Sequence, residues 1–147
     1  MNKAVIYYSK TGHSKKIAQE VAIELHVHAE NVKENPDIGE VDWLFIVGGI
    51  YGGASDPHLI NYVSSLDGDK IKNAVLITSC LSVKMKQDKI REILVEKGIK
   101  VYEEEFICKG NFLVIGLGHP NQREIRDAVR FVRKIMLEKA EQPVKTV

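Results

Sequence analysis

Cysteine is scarce in this chain: Cys80 and Cys108 are its only 2, and they stand far apart. There is no Cys-x-x-Cys pair and no Cys/His spacing of the zinc type, which excludes a disulfide scaffold and a structural zinc site. The two thiols are expected to be reduced and buried in a cytoplasmic protein. A charge excess of one sign is missing too. Lys and Arg total 21 against 20 Asp and Glu, and aromatic residues make up 7%. That balance excludes a nucleic-acid binder driven by bulk electrostatics. Long apolar runs are absent. Trp43–Val47 and Phe112–Leu117 are the longest, far too short to be inserted in a membrane. Met1–Ile6 enters a strand directly and lacks a signal-peptide layout. No repeat, linker or low-complexity stretch interrupts the chain.

What is present suits one domain spanning 1–147, with 44% apolar and 28% charged residues. Strand-like and helix-like segments alternate. Lys3–Tyr8 is a continuous apolar run, as in a strand buried on both faces. Ser14–His26 puts Ile17, Ala18, Val21, Ala22 and Leu25 on one helical stripe. Val27–Val32 reads as a weak strand near an edge, and Asn35-Pro36-Asp37 as a turn. Asp42–Val47 is a buried strand that the sequence expects to end at Gly48-Gly49, with Ile50–Asp56 as a glycine-bearing loop. Pro57 suits the first turn of a helix with Asp56 as its cap.

Ala74–Thr78 is the next buried strand. The spacing then predicts a helix over Lys84–Lys97, stopped by Gly98. Ile99–Cys108 reads as a strand interrupted by Glu103-Glu104-Glu105, acids that suit a sheet edge. Asn111–Gly118 is left as loop or short strand. Asn121 and Glu124 imitate a capping box before a last helix, and Glu141–Val147 reads as frayed. Strands alternating with helices imply a doubly wound parallel sheet with helices on both faces. In such folds ligands bind beyond the carboxyl ends of the strands.

The most informative stretch joins the first strand to the first helix: Ser9-Lys10-Thr11-Gly12-His13-Ser14. Three hydroxyls, a glycine and the free N–H groups of a helix start can together surround a phosphate. A capped helix start without ligand is the plainer reading of the same residues. His13 either bonds the phosphate or faces water, and Lys10, Lys15 and Lys16 read as a solvated face with long-range attraction for it. A nucleotide P-loop fails on pattern, because Gly12 is followed by His13-Ser14-Lys15. A dinucleotide fingerprint fails because the turn has one glycine. Neither cysteine opens a phosphatase loop, and the acids of a phosphoacceptor receiver are missing after the first and third buried strands.

On these residues the chain resembles the flavodoxins, and most of all their short, single-domain members. Their phosphate loop reads Thr/Ser-x-Thr-Gly-x-Thr/Ser, and Ser9–Ser14 matches at every fixed position. The resemblance implies a five-stranded parallel sheet of order 2-1-3-4-5 and FMN as cofactor. It implies an electron carrier that cycles the flavin between oxidised, semiquinone and hydroquinone states with redox partner proteins. It places Gly49, Ile50, Tyr51, Gly52 and Gly53 at the flavin ring, with Tyr51 stacked on it and a glycine peptide able to flip beside N5. It places Ser79, Cys80 and Leu81 at the ring's pyrimidine edge through backbone groups. The loop there departs from the family, being short and without the usual aromatic residue and acids. The expected flavin loops carry Asp56 against Lys10, Lys84 and Lys109. His58 and His119 fall near strand ends. The alternative is an FMN-dependent oxidoreductase acting on a quinone or a protoporphyrinogen-type substrate, against which the short loops weigh. No nucleophile–base pair or paired carboxylates can be identified from spacing.

Overall fold

A computed structural model describes residues 1–51, 54–80, 86–109 and 122–141, with Tyr51, Cys80, Lys109, Ala140 and Glu141 by backbone only. Chain order is β1 (Lys3–Tyr7), α1 (His13–Leu25), β2 (Ala29–Asn31), β3 (Val41–Tyr51) and β4 (Ala54–Ser55). Then follow α2 (Pro57–Ser65), β5 (Ile71–Cys80), α3 (Asp88–Glu96), β6 (Lys100–Val101), β7 (Phe106–Lys109) and α4 (Gln122–Glu141). The sheet runs β2-β1-β3-β5-β6, with β7 also on β5 and β4 on β3. All pairings are parallel except the β3–β4 hairpin. Counting β6 and β7 as one broken strand gives the expected order 2-1-3-4-5.

Alternation along each strand feeds two helical layers, because successive side chains leave opposite faces. Val5, Phe45 and Val75 pack with Ile17, Val21, Val132 and Ile135 of α1 and α4. Ile6, Leu44, Ile46 and Leu76 pack with Leu59 and Val63 of α2 and Ile90 and Leu94 of α3. Burial on both sides explains why β1, β3 and β5 read as unbroken apolar runs. Among the described residues no helix is long and apolar enough to cross a membrane.

Four expectations are corrected. β3 does not end at Gly48-Gly49 but continues to Tyr51, then turns back as β4, with Ile50 opposite Ser55 and Tyr51 opposite Ala54. Glycine serves close approach here: a Cβ on Gly48 would lie 2.5 Å from Leu59 Cδ2 and 3.0 Å from Gln87 Oε1. α3 starts at Asp88 rather than Lys84, because Gln87 is held outside the helix by the contacts described below. The strand expected over Ile99–Cys108 is two strands, parted where Glu105 turns its carboxylate inward. The strand expected over Val27–Val32 shrinks to an edge strand at Ala29–Asn31. Asn111–Gly118, Asn121 and His119 lie outside the described residues.

Candidate functional site

Beyond Tyr7 the chain leaves β1 and forms a tight loop. Ser9 Oγ accepts the N–H of Gly12 at 2.9 Å. Gly12 then takes φ +91°, the left-handed region that glycine enters at little cost. Its carbonyl accepts the N–H of Lys16 at 3.1 Å, starting α1. No side chain caps this helix, and its first turn holds no acid, so the positive end of its dipole is left for an outside anion. Ser14, its second residue, is fully buried, and its Oγ has no hydrogen-bond partner. A buried, unsatisfied hydroxyl costs about 1–3 kcal/mol. A phosphate at the loop would satisfy it. Lys10, Thr11 and Gly12 are exposed and His13 is half-buried.

Register brings the second and third expected loops together. Gly48 pairs with Thr78, Gly49 with Ser79 and Ile50 with Cys80 at the carboxyl ends of β3 and β5. Gly49, Ile50 and Ser79 are buried. On the other side Tyr8 donates its N–H to Val47 O at 3.3 Å, so the first loop leaves the sheet beside the same strand end. Ser9–Ser14, Gly49–Tyr51 and Ser79–Cys80 therefore share one rim. Gly52, Gly53, Leu81 and Lys84 lie outside the described residues.

Two clusters on this rim escaped the reading of the sequence. In the first, Asp56 caps α2 as expected, accepting the N–H of His58 at 2.8 Å. The same carboxylate oxygen lies 2.9 Å from His58 Nδ1, which puts the ring hydrogen there, and Oδ2 lies 3.7 Å from Lys10 Nζ. The His58 ring stacks on Tyr8 with centroids 4.7 Å apart and planes 17° from parallel. Asp56 thus ties the phosphate-type loop to the end of the hairpin. The cap signal at Asp56-Pro57 could be read from sequence, but Lys10, which faces Asp56, and Tyr8, on which His58 stacks, are remote in the chain.

The second cluster lies under the β5 end. Glu105 Oε2 accepts the Thr78 hydroxyl at 2.6 Å and the Gln87 N–H at 2.8 Å. Gln87 Nε2 donates to Thr78 Oγ1 at 3.0 Å, and Ser55 Oγ reaches Gln87 Oε1 at 3.5 Å. Arg91 Nη2 stands 3.5 Å from Glu105 Oε1. Thr78, Gln87 and the Glu105 side chain are buried. The group braces the hairpin, the β5–α3 connection and the start of β7 against one another. Cys108, buried as expected, lies in the core on the α4 side and is not bonded to another cysteine.

A cavity of about 420 Å³ opens elsewhere, between Trp43, Asn73, Lys100 and Lys139. It lies at the amino ends of the strands, away from the rim where open parallel sheets hold their ligands. Among the described residues no cluster of three or more His, Cys, Asp or Glu is placed to hold a metal ion.

A doubly wound parallel sheet whose first loop joins a left-handed glycine, an uncapped helix start and a buried serine hydroxyl defines the flavodoxin-like class of α/β proteins. The chain belongs to the flavodoxin domain family, whose model matches residues 4–140. Among solved structures it is similar to a short-chain flavodoxin associated with a PDU-type bacterial microcompartment. The TM-score is 0.71 and the identity 15%, over 94% of this chain and 99% of that one. Flavodoxin 2 of Bacillus cereus gives 0.68 and 14%, again over 94% and 99%. A flavodoxin from the Archaea gives 0.67 and 14%, over 92% and 97%. At these identities the likeness is one of fold. A search of curated protein sequences returned no match.

Proposed function

We propose that residues 1–147 act as one FMN-binding domain that carries electrons between redox partner proteins. The observation that carries this reading is the Ser14 hydroxyl, buried and unpartnered at the start of an uncapped helix behind Gly12. A dianionic phosphate fits that hydroxyl, and the positive end of the α1 dipole, which no side chain caps, adds to it. FMN, when bound, supplies the electron-accepting chemistry, and the protein supplies binding and orientation.

Ser9 holds the loop in shape through Gly12. Thr11, Ser14 and the first N–H groups of α1 take the phosphate, with Lys10 and His13 beside them. Gly49, Ile50, Tyr51, Gly52 and Gly53 form the wall along the ring. The backbone of Ser79, Cys80 and Leu81 meets its polar edge. The Thr78–Gln87–Glu105 group braces the end of β5 and, through Ser55, the β3–β4 hairpin. Family membership and flavodoxin neighbours support the reading at the level of fold.

The visible spectrum of the purified protein, before and after adding FMN, is the first test. The second compares FMN with riboflavin, which lacks the phosphate. Losing one hydrogen bond to a charged group costs about 1.5–3 kcal/mol. Ser14→Ala and Thr11→Ala should each weaken FMN roughly ten- to a hundred-fold and leave riboflavin nearly unchanged. Equal losses for both ligands would overturn the phosphate-loop assignment.

A further inference from the structure

Overall charge is close to balanced, but its placement is not uniform. Ion pairs form away from the rim, Lys72 with Asp42, Lys89 with Glu92, Arg133 with Glu24 and Lys134 with Glu104, and on it, where Lys10 faces Asp56 at 3.7 Å. On the rim, described over residues 8–16, 48–51, 54–58, 79–80 and 86–88, the cations stay at the surface. Lys10, Lys15, Lys16 and Lys86 are all exposed. The rim's acids have gone inward. The Asp56 side chain is 5% exposed and that of Glu105 is fully buried. Asp56 is engaged by His58 and by Lys10, Glu105 by Thr78, Gln87 and Arg91, and among the described rim residues Asp88 is the one exposed acid.

Helix energetics sharpen the contrast. Lys15 and Lys16 are the third and fourth residues of α1, whose first turn has no acid. A cation at that end opposes the helix dipole and costs a few tenths of a kcal/mol or more. Helix stability is therefore not the reason for these two lysines. They project outward, while Ser14, Ile17 and Ala18 turn in. Lys86 comes from a separate segment, directly before Gln87, so the positive field spans more than one element.

We propose that this rim is the docking face for a redox partner whose own contact surface is acidic. The proposal rests on the flavin reading, since the face that docks is the face that would carry the flavin. It adds the partner's chemistry. Close approach of two redox centres needs the rim itself to be the contact, and exposed like charges there reject a basic partner while attracting an acidic one.

The probes are an acidic plant-type [2Fe–2S] ferredoxin and a basic cytochrome c. Dithionite-reduced ferredoxin gives one electron to the oxidised, FMN-saturated protein. Ferricytochrome c takes one electron from the fully reduced protein. With ferredoxin the second-order rate should fall about ten-fold or more as salt rises from roughly 20 mM to 300 mM. With cytochrome c it should stay flat or rise. The triple variant Lys15→Glu, Lys16→Glu, Lys86→Glu should reverse both trends at saturating FMN. Its thermal midpoint should not fall, because two of the new acids favour the α1 dipole.

A readout independent of flavin keeps the two readings apart. Backbone amide shifts of residues 10–16 and 86–88 should move when oxidised ferredoxin is added to the wild-type protein, with or without FMN, and stay still in the triple variant. A protein that fails to bind FMN but shows these shifts would sink the carrier function and keep the acidic-partner surface. A ferredoxin rate that is flat or rises with salt would overturn the proposal. So would unmoved rim amides, or binding to phosphatidylserine vesicles with none to ferredoxin.

Discussion

Asp56 accepts both the backbone N–H and the ring Nδ1–H of His58 on one oxygen, while its other oxygen faces Lys10 at 3.7 Å. One carboxylate thus serves as helix cap and as cross-tie between two loops. The two roles separate by substitution. Asp56→Asn keeps a capping oxygen and loses the charge, whereas Asp56→Ala loses both. Chemical denaturation should find the alanine variant less stable than the asparagine variant by about 1 kcal/mol, the usual worth of a cap. The asparagine variant removes a negative charge from the rim and should bind FMN a few-fold tighter at low salt, with riboflavin unmoved. Identical stabilities for the two variants would remove Asp56 as a cap.

Glu105 tests the brace beneath the rim. Glu105→Ala leaves Thr78, Gln87 and Arg91 facing a buried gap. Removing one partner of such a group costs about 3–5 kcal/mol. Glu105→Gln keeps an acceptor for the Thr78 and Gln87 donors and should lose clearly less. Urea melts that rank the glutamine variant as the worse of the two would show the brace to be wrongly read.

Gly48 tests the close approach. Its Cβ position is 2.5 Å from Leu59 Cδ2, and Leu59 is fully buried. Overpacking of this kind costs about 1–3 kcal/mol. Gly48→Ala should lower the thermal midpoint by roughly 3–10 °C for a domain of this size. Gly39→Ala makes an informative contrast: nothing lies within 4 Å of its Cβ position, and its φ of +64° makes backbone strain the whole of its cost.

The α1–α4 junction carries a pH signature. Arg133 Nε and Nη2 donate to Glu24 at 2.7 and 3.2 Å. The hydrogen bond from Arg133 is the main reason the Glu24 carboxyl sits below its ordinary value of 4.5. A carboxyl depressed in the folded state contributes stability above that ordinary value and loses it as pH falls through the folded one. The wild-type advantage over Glu24→Gln should therefore be present at neutral pH and fade on acidification below 4.5. Salt should shrink it as well, since the pair is partly exposed. An advantage that grows on acidification would reverse the assignment.

Exposed lysines on the rim bear on redox behaviour. Positive charge near a flavin lowers the cost of its fully reduced, anionic form. Potentiometric titration of the FMN-loaded protein should give a second one-electron potential less negative than in flavodoxins with acidic flavin surrounds. The triple lysine-to-glutamate variant should move it down. A wild-type value as low as theirs would contradict the electrostatic reasoning.

Local signals carried most of the fold. Apolar runs at Lys3–Tyr8 and Ala74–Thr78, the stripe from Ile17 to Leu25, and Asp56-Pro57 each depend on residues a few positions apart. They lead directly to β1, β5, α1 and the start of α2. The loop Ser9–Ser14 was legible for the same reason, and its Ser9–Gly12 bond spans 3 residues. What stayed hidden was remote. Nothing near Gly48 announces that Leu59 and Gln87 crowd it, so a glycine pair that usually ends a strand was read as an end. Nothing near Lys84 tells that Gln87 is claimed by Glu105, which sets α3 back to Asp88. The acids at Glu103–Glu105 signalled an edge, yet Glu105 itself points in, because Thr78 and Gln87 supply the donors a buried carboxylate needs.

The Thr78–Glu105 bond joins residues 27 apart, and the Gln87–Glu105 bond joins residues 18 apart. A chain made from its amino end meets these partners late. Ser9–Ser14 and α1 can organise once β3 has paired with β1. The contacts of Thr78 and Gln87 with Glu105 cannot form until residue 105 has been added. The two halves of the rim thus differ in how much of the chain their internal bonds span, 3 residues for Ser9–Gly12 and 27 for Thr78–Glu105. The part assigned to the phosphate is held by local bonds, and the part assigned to the ring depends on bonds that reach the far edge of the sheet.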